Sequence, residues 1–328
     1  MQASDTATVP ATVTIDDIRS AAERISGAAR RTPLLQLPHP GSVWVKAESL
    51  QKTGSFKLRG AFNALSQLNE EQLRRGVVTH SSGNHGQGLA CAASMLGAPA
   101  TIVIPVDAPP VKVERTLAWG ARVVRCGPSA AERETAAQEE AERNGLTLIP
   151  PFDNPHVIAG QGTVGLEILE QLPDVANVLV PVGGGGLLAG VALAIKSLRS
   201  DVKVFGVEPE LAADMAESFA RRGPVRWPAT DTTRTIADGV RTQQVGVTNL
   251  PIILDNVDGI LTASEEAILA ATAFYPSQAR LVAEPSGALS LAAFREATES
   301  GGSLADGPTV VVLSGGNVDP QLLARLLA

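Results

Sequence analysis

Short runs of β-branched apolar residues alternate along this chain with longer stretches whose apolar positions recur every three or four residues. The runs predict strands over 77–80, 100–104, 122–125, 146–149, 177–180, 202–207 and 309–313. The helical spacing predicts helices over 58–73, 88–96, 129–143 and 187–198. Strand and helix in turn give an α/β chain with a mostly parallel sheet, in which ligands gather at the carboxyl ends of the strands. No internal repeat and no low-complexity linker interrupts the pattern.

Three glycine-rich turns stand at those strand ends. Ser81-Ser82-Gly83-Asn84-His85-Gly86 offers hydroxyls, an amide and helix-start N–H groups that suit a carboxylate, although Ser-Gly-Asn is also a common plain turn. Gly183-Gly184-Gly185-Gly186-Leu187 brings backbone close to a ligand and turns successive N–H groups toward it, at the positive end of the next helix. It lacks the Gly-Lys-Ser/Thr of a P-loop and the spacing of a dinucleotide fingerprint, so it reads as a phosphate cradle of another kind. Ser314-Gly315-Gly316-Asn317 places a hydroxyl where it could bond a ring nitrogen, or simply ends a strand.

A lysine supplies the reactive group. Lys57 lies between Phe56 and Leu58 at the start of an apolar helical pattern, where desolvation lowers an amine's pKa and leaves it able to attack a carbonyl. Glu208 and Asp214 follow the strand over 202–207; from the residues alone they are a hard-cation pair or two solvated carboxylates near a helix start. His39, His80, His85 and His156 lack zinc spacing. An amine, a phosphate cradle, a hydroxyl for a ring nitrogen and a carboxylate turn together match pyridoxal 5'-phosphate (PLP) and an amino acid.

Composition narrows the partners. The 328 residues are 44% hydrophobic, enough for one large core or two smaller ones. With 27 basic and 34 acidic side chains the net charge is -7, and no basic run exceeds two residues, which argues against nucleic acid or an anionic membrane. No apolar run reaches the roughly 20 residues of a membrane span. Residues 1–12 read as a disordered polar tail without signal-peptide character. Cys91 and Cys126 sit in apolar patterns and read as buried thiols in a reducing cytoplasm.

Seven motifs in fixed order make the chain recognisable. They are Ser55 to Ala61, Ser81 to Gln87, Val157 to Thr163, Gly183 to Leu187, Gly206 to Pro209, Thr235 to Val240 and Ser314 to Asn317. From about Arg31 to Pro320 the chain resembles the PLP-dependent serine/threonine dehydratase and serine racemase family. The resemblance implies fold type II, similar to the tryptophan synthase β chain, with two domains that each hold a mostly parallel twisted sheet flanked by helices. Residues 52–155 would be a small mobile domain carrying Lys57 and the substrate loop, and 1–51 with 156–328 the large one. Lys57 would carry PLP, with Phe56 and Glu284 near its ring and Asn84 on its 3'-oxygen. Gly183, Gly184, Gly185, Gly186 and Leu187 would hold the phosphate and Ser314 the ring nitrogen. Ser81, Gly83, Asn84 and His85 would surround the substrate carboxylate. Glu208, the Ala212 carbonyl and Asp214 match the family's Mg²⁺ or Ca²⁺ site.

The activity implied is ammonia release from a β-hydroxy amino acid, L-threonine or L-serine first. The freed Lys57 amine takes the Cα proton, and the products are 2-oxobutanoate or pyruvate. Ser82 matches the serine that racemases use as acid/base on the opposite face, so serine racemase is one alternative. A 3-hydroxyaspartate ammonia-lyase is another. Arg133 lines up with an arginine that contacts a dicarboxylate in the racemase, or is a solvated helix residue. A silent amino-acid-binding regulator is the reading from another class; intact Lys57, Gly183 to Gly186 and Ser314 speak against it. A homodimer follows from the family. The chain departs from the family at Phe274-Tyr275-Pro276-Ser277-Gln278, where Pro276 should break a helix. It stops at Ala328 without room for a regulatory domain, so no isoleucine-type feedback is expected.

Overall fold

Alternating pattern becomes two sheets. The computed structural model describes residues 12–39, 41–81, 83–108, 110–301 and 304–328. The strands are β1 (Leu34–Gln36), β2 (Val43–Ala47), β3 (Val77–His80), β4 (Ala100–Pro105), β5 (Arg122–Cys126), β6 (Thr147–Leu148), β7 (Asn177–Pro181), β8 (Lys203–Pro209), β9 (Gly259–Ala263) and β10 (Thr309–Leu313). A four-stranded sheet runs β5-β4-β3-β6, all parallel. A six-stranded sheet runs β1-β2-β10-β7-β8-β9, parallel except for β1 against β2. The chain therefore builds part of the larger sheet, makes the whole smaller one, and returns. Central strands β7 and β10 are buried throughout, as continuous apolar runs in a helix-covered parallel sheet should be.

Seven expected strands form, most with ends shifted by one or two residues. The helix expected over 58–73 is instead two, Lys57–Leu65 and Glu70–Arg75. Asn69 accepts from the Gln72 N–H while Gln72 reaches back to Asn69, and this reciprocal cap starts a new helix inside an apolar pattern that looked continuous. Pro276 does not simply end its helix. Glu265–Phe274 passes into a π-helical turn, Tyr275–Ala279, placing the proline where the α ladder of hydrogen bonds is already interrupted. Among the described residues no helix is long and apolar enough to cross a membrane.

The helix Pro155–Gln171 is the central beam. Its small residues let two other helices come close: a Cβ on Gly160 would stand 2.6 Å from the Gly60 Cα, and one on Gly190 2.6 Å from the Gly162 N. So Lys57–Leu65 and Gly186–Leu198, the helices opened by the lysine and by the glycine run, pack on one support.

Candidate active site

Lys57 is delivered to the end of β10 by backbone pairing. Ser55 bridges Gly315, the Phe56 N–H donates to the Ser314 carbonyl at 3.1 Å, and the Gly316 N–H to the Gly54 carbonyl at 2.8 Å. Gly54 takes φ +72°, and a Cβ there would stand 2.7 Å from the Asn317 Oδ1, so this turn needs glycine. The helix then begins at Lys57, whose Nζ donates to the Pro151 carbonyl at 2.7 Å and lies 5.1 Å from the Phe56 ring centroid. Burial pushes the amine down to about 8. Desolvation is the cause, and among the described residues no carboxylate hydrogen-bonds to Nζ, so the neutral amine is accessible near neutral pH.

Two residues on, charge anchors the same helix. Arg59 is fully buried and binds Glu48 through Nε and Nη2 at 2.8 Å each, and Glu167 through Nη1 at 2.6 Å and Nη2 at 2.9 Å. Lys46 joins Glu167 at 2.5 Å, so two cations meet two carboxylates and the cluster is neutral. A buried cluster of this kind is costly to break at any one member.

The glycine run packs against Phe152, the residue after Pro151. Gly183 to Leu187 are largely buried, Gly185 takes φ +92°, and no N–H of this run donates to a protein acceptor among the described residues. Buried N–H groups without acceptors cost about 1–3 kcal/mol each, so the run calls for an anion. A Cβ on Gly184 would fall 2.2 Å from the Phe152 ring, so its space is taken by an aromatic neighbour. A phosphate for these donors and a carbonyl carbon for the Lys57 amine are what PLP brings, and the residues fit it.

Ser314 is buried, its Oγ 3.5 Å from the Ser286 carbonyl and free of any carboxylate partner. Asn84 donates to Glu284 Oε1 at 2.6 Å and accepts from Asn317 Nδ2 at 2.7 Å; Asn317 also bonds the Thr53 carbonyl and Arg115. Burial, with Asp238 nearby, pushes the Glu284 carboxyl up to about 7. A Cβ on Gly315 would fall 2.0 Å from Glu284 Oε1, so that glycine makes room for the acid. Asn84 opens the helix Asn84–Leu96, and the Gly83 N–H before it donates to Ser81 Oγ at 3.2 Å. His85 Nε2 lies 3.3 Å from the Ile149 carbonyl, and burial beside Lys57 pushes the ring down to about 3, so it is neutral. Ser82 lies outside the described residues.

Glu208 and Asp214 are buried, which overturns the solvated alternative. Glu208 accepts from the Met215 and Ala216 N–H groups at 3.1 and 2.8 Å, capping the helix Asp214–Arg221, while neither Asp214 oxygen has a hydrogen-bond partner. Burial raises both acids, Glu208 further through Asp214, and Ala212 is buried in the turn between them. Two buried acids and a carbonyl suit a hard cation. No group of three His, Cys, Asp or Glu that could hold a metal occurs among the described residues. Arg133 is half-buried in the helix Ala130–Asn144; its Nε is buried without a partner, and its charge acts on His80 at the end of β3. Cys91 is buried as expected, whereas Cys126 is partly exposed because it ends β5 at the sheet edge.

Sequence reasoning missed Pro151, Phe152, Asp153 and Asn249. A backbone carbonyl and an aromatic against a glycine leave no residue-type signature; the turn-dense Pro150-Pro151-Phe152-Asp153-Asn154-Pro155 was the one available sign.

Comparison with known proteins points to the same cofactor. Residues 25–315 match the family model described as pyridoxal-phosphate dependent enzyme. The chain is 44% identical over 320 residues to a serine racemase of Schizosaccharomyces pombe, covering 96% of this chain and 97% of that one. It is 44% identical over 316 residues to an L-threo-3-hydroxyaspartate ammonia-lyase of Pseudomonas sp, covering 95% and 97%. The crystal structure of a threonine deaminase from T.th. superposes with TM-score 0.87 at 45% identity, over 93% of this chain and 99% of that one.

Proposed function

The chain belongs to the pyridoxal-phosphate dependent enzymes, and we propose that it is an ammonia-lyase converting L-threonine and/or L-serine to 2-oxobutanoate or pyruvate and ammonia. The observation that carries this reading is the half-buried Lys57, whose amine is lowered by desolvation to about 8 and held 2.7 Å from a carbonyl rather than paired with an acid. Bound PLP supplies the electron sink that makes the substrate Cα proton removable. The N–H groups of Gly183 to Leu187 hold its phosphate, Asn84 its 3'-oxygen and Ser314 its ring nitrogen, with Phe56 and Glu284 beside the ring. Ser314 would meet the ring nitrogen with a hydroxyl and no charge. Ser81, Ser82, Gly83, Asn84 and His85 receive the substrate carboxylate. Lys57 takes the Cα proton, and the Pro151 carbonyl supports the resulting ammonium.

Glu208, the Ala212 carbonyl and Asp214 bind Mg²⁺ or Ca²⁺; the unpartnered Asp214 oxygens support this. Residues 52–155 close over the substrate as a small domain, a reading supported by a four-stranded sheet made wholly within that span. Free Cys91 and Cys126 support a cytoplasmic setting, and a homodimer is carried by the family resemblance.

One observation favours a second reading. The buried, unpartnered Arg133 Nε is a donor available to a second substrate carboxylate, which points to 3-hydroxyaspartate. The test is ammonia and 2-oxo acid release from L-threonine, L-serine, D-serine and the 3-hydroxyaspartate isomers, with PLP and Mg²⁺ present and chiral analysis of the remaining substrate. Oxobutanoate from threonine or pyruvate from serine supports the first reading. Turnover confined to hydroxyaspartate replaces it with the second, and D-serine formed from L-serine assigns Ser82 as an acid/base.

A further inference from the structure

The glycine run owes its donors to a carbonyl facing the other way. The Gly184 carbonyl accepts two hydrogen bonds, from the Gly246 N–H at 3.0 Å and Asn249 Nδ2 at 2.6 Å. In a trans peptide the carbonyl of one residue and the N–H of the next point in opposite directions, and the described chain has no cis bond. Holding the Gly184 oxygen therefore aims the Gly185 N–H to the opposite side, where it has no protein acceptor. The two residues between Gly246 and Asn249 are held by Asp153. Its Oδ2 accepts from the Val247 N–H and its Oδ1 from the Thr248 N–H, at 2.9 Å each. Gly246 is squeezed between the two, since a Cβ on it would meet Asn249 Nδ2 at 2.6 Å and the Asp153 Cγ at 2.8 Å. One residue before Asp153, the Phe152 ring fills the space beside Gly184, and one before that, the Pro151 carbonyl receives Lys57.

We propose that Asp153 is a positioning residue for cofactor binding: its carboxylate fixes Gly246 to Asn249, which lock the Gly184 peptide with its N–H side toward the phosphate. The inference rests on Gly183 to Leu187 as the phosphate seat. It assigns Asp153 no contact with cofactor or substrate and gives Asn249 the same task one bond nearer.

The test compares the holoenzyme with Asp153→Ala, Asp153→Asn and Asn249→Leu, reading equilibrium dissociation of PLP and of pyridoxal, which has the same carbonyl and ring without the phosphate. Asp153→Ala should weaken PLP about tenfold or more, the loss of roughly one charge-assisted bond's worth of order. Asp153→Asn, which keeps one acceptor oxygen, should recover part of that loss. Asn249→Leu should weaken PLP as Asp153→Ala does, and pyridoxal dissociation should stay within about twofold throughout. PLP affinity unchanged in Asp153→Ala overturns the proposal, and so does an equal loss for PLP and pyridoxal, the mark of general loosening. A Gly185→Ala protein checks the seat separately. If it keeps PLP affinity, the phosphate lies elsewhere; if it loses affinity while Asp153→Ala does not, only the positioning role falls.

Discussion

Lys57 differs from a surface lysine because no acid offsets its burial. Lys46 is lowered by burial too, but Glu48 and Glu167 beside it offset part of that desolvation. Among the described residues Lys57 bonds the Pro151 carbonyl and no acid, so nothing offsets the desolvation and the amine falls to about 8. The neutral fraction grows as pH rises through that value. Cofactor capture by enzyme stripped of PLP should therefore climb with a midpoint of about 8 and level off above it. A rate still climbing toward the ordinary lysine value of about 10.4 would contradict the assigned environment. Desolvation of Lys57 was legible from Phe56 and Leu58 beside it. Its acceptor was not, because any residue type carries a carbonyl. Arg133 shows the opposite limit: the sequence supplied the residue type, while its unpartnered Nε needed coordinates.

At the scale of elements, helix contacts set the distance between amine and cradle. A Cβ at residue 60 would approach the Val157 carbonyl to 2.8 Å, and a backbone oxygen in a helix cannot swing aside as a side chain does. Gly60→Ala should cost about 1–3 kcal/mol, read as a lower denaturation midpoint with loss of cofactor absorbance at lower temperature. Unchanged stability would mean that the Lys57–Leu65 and Pro155–Gln171 helices do not pack so closely. Most strands were legible because parallel, covered strands are continuous apolar runs. β2 was not, since Lys46 breaks its apolar run and looks exposed, yet is buried with Glu167. β9 begins on a glycine and β1 has three residues, both too weak for a pattern. The split of the helix over 58–73 lay in Asn69 and Gln72, a capping signal that the apolar spacing overrode.

Across the whole molecule, residues distant in sequence meet at one place: Phe56 beside Ser314, Asn84 against Glu284, Pro151 on the lysine and the adjoining Phe152 on the glycines. Lys112 reaches Asp238 and Arg115 reaches Asn317, tying the helix Pro110–Leu117 to the segment before β9 and the turn after β10. Ordered motifs made this convergence legible, because most of them stand at the end of a strand or the start of a helix. The proposed cation site belongs to the same scale. Mg²⁺ or Ca²⁺ at about a hundred times its Kd should stabilise the fold by about 2.7 kcal/mol. The resulting rise in melting temperature should vanish in Asp214→Asn, and an equal rise in that variant would place the cation elsewhere. The central claim, that these groups make an ammonia-lyase around one lysine, is tested most directly with Lys57→Ala and the parent protein side by side. Both are loaded with PLP and assayed for ammonia from L-serine and L-threonine, with the visible absorbance of lysine-bound cofactor recorded. The parent should show both signals and the variant neither; ammonia release that survives the loss of Lys57 would contradict the account.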